Sequence, residues 1–322
     1  MPKIGLDIMG GDRAPEEIIQ GALLALDEYE FELVAFGPED LLKKTLKDVE
    51  IVPSKDDLSM DSSSMEVLRR KGSSMHLGLR YLRSGEIDAF VSAGGTGPLF
   101  LGATSIVGKM EGIERPALAV PVPSTNGFTI LIDNGANVSL RPNHYLDLAI
   151  MGMAYARVLG RENPKVGLLN VGEEEIKGTD VVKEAYSILK EKLGDAFHGN
   201  VEGRDINTGV VDVVVTDGFT GNIAMKTMEG VGKLVSETLK KVIKETGFLS
   251  ILGALMMKRA FNRFKKILDP KEYGGAFILG VNGVVVKAHG NSDRVAIKNA
   301  IRVALDGVKM DLIGLIRGGM KR

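Results

Sequence analysis

Short apolar stretches recur along the chain, and longer stretches with helical periodicity lie between them. Residues 211–215 are almost continuously apolar, which is typical of a strand that helices cover on both faces of a parallel sheet. We predict strands at residues 4–8, 32–36, 89–92, 129–133, 166–170, 210–216 and 283–288. Apolar positions repeat at helical spacing in 181–193 and 224–242, which predicts helices with one apolar face. This alternation predicts a doubly wound, three-layer α/β/α fold with a mostly parallel sheet.

No internal repeat, low-complexity tract or proline-rich linker divides the chain, so we predict a single α/β/α domain over residues 1–322. Within it, residues 240–268 hold eight basic residues and one acidic residue, in a chain whose net charge is −1. One helical face in the second half of this segment is apolar, formed by Met257, Ala260, Phe261, Phe264, Ile267 and Leu268. The basic residues that lie mostly off that face are Lys258, Arg259, Arg263 and Lys266.

An apolar stretch at 248–252, after Gly247, precedes this amphipathic helix. The pattern predicts a protruding amphipathic helical segment over 240–268. A helix of this kind lies on an anionic membrane surface, or it packs its apolar face against a second copy of the chain. The sequence leaves both explanations open.

The composition argues against several classes of protein, among them nucleic-acid-binding, secreted and membrane-spanning proteins. The 41 basic side chains nearly cancel the 42 acidic ones, so no overall field favours nucleic acid. The absence of cysteine excludes a thiolate zinc site, a cysteine nucleophile and a disulfide framework. Asp7 interrupts the apolar start that a signal peptide needs, and the longest apolar run, 248–257, is about half of the roughly 20 residues that span a bilayer. We therefore predict a cytoplasmic protein without a nucleic-acid partner.

Glycine-rich turns follow four of the predicted strands, at 7–12, 92–97, 170–178 and 216–222. A single turn of this kind often serves only the backbone, but ligands of open α/β sheets bind beyond the carboxyl ends of strands. The predicted substrate- or phosphate-binding residues in these turns are Asp7, Gly10, Gly11, Asp12, Gly94, Thr96, Gly97, Asn170, Gly172, Asp217 and Gly221. His289, at the end of the last predicted strand, either joins them or is structural.

None of these turns has the glycine spacing of a dinucleotide fingerprint or a P-loop. The four histidines are scattered without metal-ligand spacing, and no serine-triad motif is present. We therefore predict neither a metal nor an organic cofactor.

Lys177 and Asn222 are the side chains in these turns that are best suited to bind a reacting group. Lys177 precedes Thr179, the predicted N-cap of a helix, where an ammonium and free N–H groups can bind phosphate or an oxyanion. The alternative is that Lys177 is a surface lysine and that Glu173 to Glu175 form a solvated acidic loop. Asn222 is predicted in the first turn of the next helix, where it either meets the ligand or satisfies the helix end.

Ordered blocks across most of the chain carry a resemblance to a known family. The blocks lie at 4–12, 71–75, 170–178, 200–205, 217–222, 272–276, 279–283 and 288–290. In these blocks the chain resembles the phosphate acyltransferase family of bacterial phospholipid synthesis. It departs from the family at Arg13, where histidine is usual, and at Gly95, where asparagine is usual. These departures leave the roles of those two positions open.

The resemblance implies an enzyme that converts acyl-acyl-carrier protein and inorganic phosphate to acyl phosphate and free carrier protein. It further implies a fold similar to phosphotransacetylase and isopropylmalate dehydrogenase, a homodimer, and catalytic roles for Lys177 and Asn222. Acyl phosphate would feed phosphatidic acid synthesis through a membrane acyltransferase, which makes the membrane surface an expected partner. Two alternatives remain: a short-chain phosphate transacylase that uses coenzyme A, and a non-catalytic phosphate-binding membrane scaffold.

Overall fold

The computed structural model describes residues 1–268 and 274–321, and an 11-stranded sheet runs through them. The strands in sequence order are β1 (Lys3–Asp7), β2 (Glu32–Gly37), β3 (Glu50–Pro53), β4 (Ala89–Ser92), β5 (Ala117–Ser124), β6 (Gly127–Ile132), β7 (Val166–Leu169), β8 (Phe197–Val201), β9 (Val213–Val215), β10 (Ala276–Leu279) and β11 (Val284–Lys287). Their order across the sheet is β3-β2-β1-β4-β11-β10-β5-β6-β9-β7-β8.

The sheet is mostly parallel, as predicted, and its antiparallel part is confined to the middle. Strand β10 pairs antiparallel with both β11 and β5, and β5 pairs antiparallel with β6. Each predicted strand is present, with ends that differ by up to three residues. Strands β3, β5, β8 and β10 were not predicted from the sequence. In β8 the residues His198, Gly199 and Asn200 break the apolar run that identified the other strands.

Helices cover both faces of the sheet, as the α/β/α prediction requires. They are α1 (Glu16–Glu28), α2 (Glu39–Thr45), α3 (Glu66–Arg69), α4 (Ser74–Ser84), α5 (Thr96–Gly102), α6 (Pro142–Val158), α7 (Asp180–Leu193), α8 (Gly218–Glu245), α9 (Phe248–Met256), α10 (Lys258–Leu268), α11 (Arg294–Lys309) and α12 (Leu312–Met320).

Each face of the sheet has its own buried core. Leu6, Tyr155 and Ile301 belong to the core on one face, which α1, α6 and α11 cover. Phe36, Phe90 and Leu79 belong to the core on the other. All eleven strands join one sheet, which fits a single domain, but the domain division over 1–322 stays a prediction.

Residues 240–268, predicted as a protruding amphipathic helical segment, form the end of α8 and the helices α9 and α10. From Asn222 to Phe261 no residue is buried, and Phe248, Leu249 and Met256 are 76%, 81% and 83% exposed. The side chains of Lys266, Ile267 and Leu268, which were predicted to belong to the amphipathic helix, lie outside the described part of the chain, as do residues 269–273. In the described ranges no helix combines the length and the apolar character that crossing a bilayer requires.

Candidate active site

A buried carboxylate joins the loop after β1 to the loop after β4. Asp7, the last residue of β1, accepts hydrogen bonds from Ser74 Oγ and Ser92 Oγ, each at 2.6 Å. Burial raises the pKa of Asp7. A Cβ at Gly10 would lie 2.5 Å from Asp7 Oδ2 and 2.7 Å from the Gly94 nitrogen, so the backbone can approach this closely only without a side chain. Asp7, Gly10 and Gly94 thus build the support beneath a ligand site.

The loops after β1 and β11 are also joined directly. The Asp12 N–H donates to the Gly290 carbonyl at 2.8 Å, and a Cβ at Gly11, whose φ is +116°, would lie 3.1 Å from the same oxygen. Gly97 is held close to the segment before α3, because a Cβ there would lie 2.4 Å from Ser64 Oγ. Since β1, β4 and β11 are neighbours in the sheet, their loops converge at one point on its carboxyl edge.

A cavity of about 890 Å³ lies where these loops meet α8. Four of the predicted site residues line it, namely Asp12, Thr96, Asn222 and His289. Other polar groups in its lining are Asn134, Lys226, Glu229, Lys233, Ser236, Lys287, Asn291 and Ser292. Its larger apolar lining residues are Met60, Leu118, Val120, Pro121 and Met225. The cavity therefore combines polar groups from the strand-end loops with an apolar wall from β5 and α8.

Asn222 reaches the cavity because α8 begins beside it. Asp217 caps this helix, with Oδ1 accepting from the Thr220 N–H at 2.8 Å. The prediction that Asn222 lies in the first turn was wrong: α8 begins at Gly218 on this stronger cap, which moves Asn222 to the second turn. Asn222 is exposed and faces the loop after β6, where a Cβ at Gly135 would lie 3.7 Å from Asn222 Cβ.

The loop after β7 is built as predicted, but it does not contribute to this cavity. Thr179 caps α7 by accepting from the Val182 N–H at 3.4 Å, and Asn170 Nδ2 donates to the Lys177 carbonyl at 3.1 Å. Lys177 is exposed, and neither it nor Asn170 nor Gly172 is among the residues that line the cavity. In the described part of the chain no hydrogen bond joins Lys177 to Asn222.

The acidic residues near Lys177 have local partners. Glu175 accepts from Lys190 Nζ at 2.6 Å and from the Tyr186 hydroxyl at 2.9 Å, which lowers its pKa. Glu173, Glu202 and Asp205 are close enough together to hold a cation. The guanidinium of Arg204 already lies 2.8 Å from Glu202 and 3.5 Å from Glu173. Ion pairing at the surface accounts for this group of carboxylates.

Lys287 and Asn134 were not predicted as site residues from the sequence, whereas Ser292 belongs to the segment after His289 that was expected to join the site or to be structural. Lys287 ends β11 and is 8% exposed, and burial lowers its pKa to about 8. Asn134 Oδ1 and Ser292 Oγ are buried without a hydrogen-bond partner in the described structure. Lys287 could have been found from its place near the end of the predicted apolar strand 283–288. Lysine is rarely buried, so a lysine in such a strand indicates a functional role.

His289 follows Lys287 by two residues and also lines the cavity. Burial lowers its pKa, and the positive charges of Lys226 and Lys287 act in the same direction. His289 is therefore biased toward the neutral imidazole, which can donate and accept a hydrogen bond.

Comparisons with known proteins follow the chain almost from end to end. The family described as "Fatty acid synthesis protein" matches residues 2–314. A phosphate acyltransferase of Thermotoga maritima is 61% identical over 318 residues, which cover 99% of this chain and 97% of that protein. The family prediction made from the motif blocks is thereby confirmed.

Solved structures with a similar fold include two phosphotransacetylases. The one from Streptococcus pyogenes has a TM-score of 0.66 at 17% identity and covers 97% of this chain and 94% of its own. The EutD phosphotransacetylase from Staphylococcus aureus has a TM-score of 0.64 at 16% identity and covers 95% of this chain and 94% of its own. These confirm the predicted phosphotransacetylase-like fold, while similarity to isopropylmalate dehydrogenase stays a prediction.

Proposed function

The chain belongs to the phosphate acyltransferase family, and we propose that it transfers the acyl group of an acyl-acyl-carrier protein to inorganic phosphate. The products are acyl phosphate and the free carrier protein, which would feed phosphatidic acid synthesis. The observation that carries this proposal is the 61% identity over 318 residues with a protein named phosphate acyltransferase. The carrier-protein thioester as donor is our inference from the resemblance.

The proposed reaction needs little chemistry from the protein beyond positioning and charge stabilisation. A hydrogen phosphate oxygen donates an electron pair to the thioester carbon, and the C–O bond forms. The resulting oxyanion collapses, the C–S bond breaks, and the sulfur leaves with the electron pair of the C–S bond and takes up the proton that phosphate carried. Phosphate is already anionic at neutral pH. The rate acceleration therefore comes from orienting phosphate against the thioester and from stabilising the oxyanion.

The central cavity suits both parts of this reaction. Leu118, Val120 and Met225 offer an apolar wall for the acyl group. Asn222 and the loops after β1, β4 and β11 supply polar groups for phosphate and the thioester oxygen. We propose Asn222 as a hydrogen-bond donor to the reacting centre, with Asp12, Thr96 and His289 on the phosphate side.

Lys177 remains the second proposed catalytic residue. Its loop follows β7, which pairs with β9, the strand that leads into α8 and Asn222. We expect Lys177→Ala to lower kcat at least tenfold with little change in melting temperature, since the side chain is exposed. The matched control is Lys183→Ala on the adjacent helix. Rates within twofold of wild type for Lys177→Ala would show that Lys177 is a surface lysine.

The donor specificity separates the proposal from its alternatives. The experiment supplies the same acyl group on carrier protein and on coenzyme A, at equal concentration, with saturating inorganic phosphate. The proposal predicts a much higher kcat/KM with the carrier-protein thioester. A preference for coenzyme A would favour the short-chain transacylase, and no product from either donor would favour the phosphate-binding scaffold.

We also propose that the enzyme is cytoplasmic, forms a homodimer, and binds membranes peripherally through α9 and α10. Phe248, Leu249 and Met256 of α9 are largely exposed, and the basic residues Lys258 and Arg259 begin α10 directly after it. Such a segment partitions into the interface of an anionic bilayer, where each basic residue contributes about 1 kcal/mol. Release near the membrane would deliver a lipid-like product to a membrane acyltransferase.

The membrane prediction is tested by co-sedimentation with anionic vesicles at low and high salt. We expect wild type to sediment at low salt and less at high salt, because the charge contribution is screened. Both Leu252→Glu and the charge reversal of positions 258, 259, 263 and 266 to glutamate should stay in solution. The matched control reverses the exposed Lys43, Lys44, Lys47 and Lys55, with an equal change in net charge.

Dimerisation is measured on each of these variants by analytical ultracentrifugation. Two results would contradict membrane binding: wild type does not co-sediment with anionic vesicles at low salt, or the helix variants co-sediment as wild type does. The apolar face of the protruding helices would then pack only against the second copy in the dimer.

A further inference from the structure

Lys287 is a buried cation at the centre of the carboxyl edge of the sheet. It is the last residue of β11, which lies between β4 and β10, and it is paired in register with Ser92 on one side and Ala276 on the other. Only 8% of the residue is exposed, and it lines the central cavity. A lysine in this position is costly unless something compensates its charge.

The compensation inside the described chain is incomplete. Lys287 Nζ donates to the Ala93 carbonyl at 3.4 Å and to the Ala288 carbonyl, and within the described ranges no carboxylate lies within ion-pair distance of it. Asp12 and Asp7 favour its charged form from further away, and burial disfavours it, so that its pKa falls to about 8. Lysine has three N–H donors, which leaves one of them for a ligand.

A second polar group nearby lacks a partner. Ser292, five residues later in the same strand-end loop, is 1% exposed, and its Oγ makes no hydrogen bond in the described structure. Buried hydroxyls are almost always paired, so an unpaired one in the lining of a cavity indicates a missing ligand or water. Both groups can donate to an anion.

We propose that Lys287 and Ser292 hold the inorganic phosphate that attacks the acyl donor. The inference rests on the proposed function for its role in turnover, whereas phosphate binding itself can be measured without turnover. The ammonium of Lys287 compensates the phosphate charge at a buried position, and the phosphate supplies an acceptor for the free donor of Lys287 and for Ser292. The phosphodiester of the carrier's prosthetic arm offers similar chemistry, so the test separates the two sources.

The test combines kinetics with calorimetry on Lys287→Met and Ser292→Ala. We expect Lys287→Met to raise the KM for inorganic phosphate at least tenfold while the KM for the acyl donor changes less than twofold. Titration with phosphate alone should show the same weakening. Ser292→Ala should raise the phosphate KM several-fold. Lys44→Met, which removes an exposed lysine of α2 that does not line the cavity, should change neither constant.

Folding is checked by thermal unfolding of each variant. Methionine keeps most of the side-chain volume and removes a buried charge, so Lys287→Met should unfold at or above the wild-type temperature. If it does not fold, phosphate titration of Lys287→Gln and Ser292→Ala decides the matter. An unchanged phosphate KM and affinity in the folded variants would overturn the inference, as would a rise confined to the acyl-donor KM. If wild type fails to make acyl phosphate yet binds phosphate through Lys287, the proposed function fails and the phosphate site stands.

Discussion

Replacing Asn222 by alanine is expected to lower kcat by about 10²- to 10³-fold, the usual loss when one preorganised donor to an oxyanion is removed. Asn222 is exposed in the central cavity, and its side chain makes no hydrogen bond with the described residues, so packing does not depend on it. If its amide contacts the reacting centre mainly in the transition state, kcat and kcat/KM should fall together.

The measurement is steady-state kinetics of Asn222→Ala with both substrates varied. Thr227→Ala is the control, because Thr227 is exposed on the same helix and does not line the cavity. Asn222→Asp is a second variant: its carboxylate keeps the shape but cannot donate when ionised, so it should be as slow as alanine. Wild-type kcat in Asn222→Ala would remove Asn222 from the catalytic machinery.

Gly221→Ala should destabilise the fold by about 1–3 kcal/mol or more, the cost of forcing an extra group into a packed site. A Cβ at Gly221 would lie only 2.0 Å from the Asp133 carbonyl oxygen, a contact that requires α8 to shift. Asp133 is itself a buried hub: its Oδ1 accepts from the Leu118 N–H and its Oδ2 from the Asn137 N–H. The shift should therefore loosen the start of α8 and move Asn222.

The control for this prediction is Gly230→Ala on the same helix. A Cβ at Gly230 meets nothing within 4 Å, so alanine there should be neutral or should stabilise the helix by about 0.5–1 kcal/mol. Urea unfolding of both variants gives the two free-energy changes. Equal stability of Gly221→Ala and wild type would mean that Gly221 serves the ligand rather than the packing of α8.

The sequence predicted those parts of the fold that depend on local patterns. Apolar runs identified the strands that helices cover. The N-cap at Thr179 was predicted because threonine is a common N-cap residue and it directly precedes a segment with helical periodicity. Strand β8 was missed because two of its three buried residues are Gly199 and Asn200, so it has no apolar run. The start of α8 was predicted too late because glycine often marks a helix boundary, whereas Asp217 caps the helix and Gly221 allows close packing against Asp133.

The site depends on strand order, which no local pattern contains. Lys287 ends an apolar strand and Lys177 lies in the loop after another, and the sequence favoured Lys177 because a glycine turn and a helix cap surround it. The pairing of β11 with β4 and β10 brings Lys287 to the middle of the sheet, while β7 lies one strand from the edge. Long-range pairing therefore decides which strand-end residues share a cavity.

The central claim is that this chain transfers acyl groups from a carrier-protein thioester to phosphate. Hydroxylamine converts acyl phosphate to a stable hydroxamate, and it is added to purified enzyme with acyl-acyl-carrier protein, in the presence and absence of inorganic phosphate. We predict phosphate-dependent hydroxamate and an equal amount of free carrier thiol, both strongly reduced in Asn222→Ala. Hydroxamate that does not depend on phosphate, or none above an enzyme-free control, would contradict the claim.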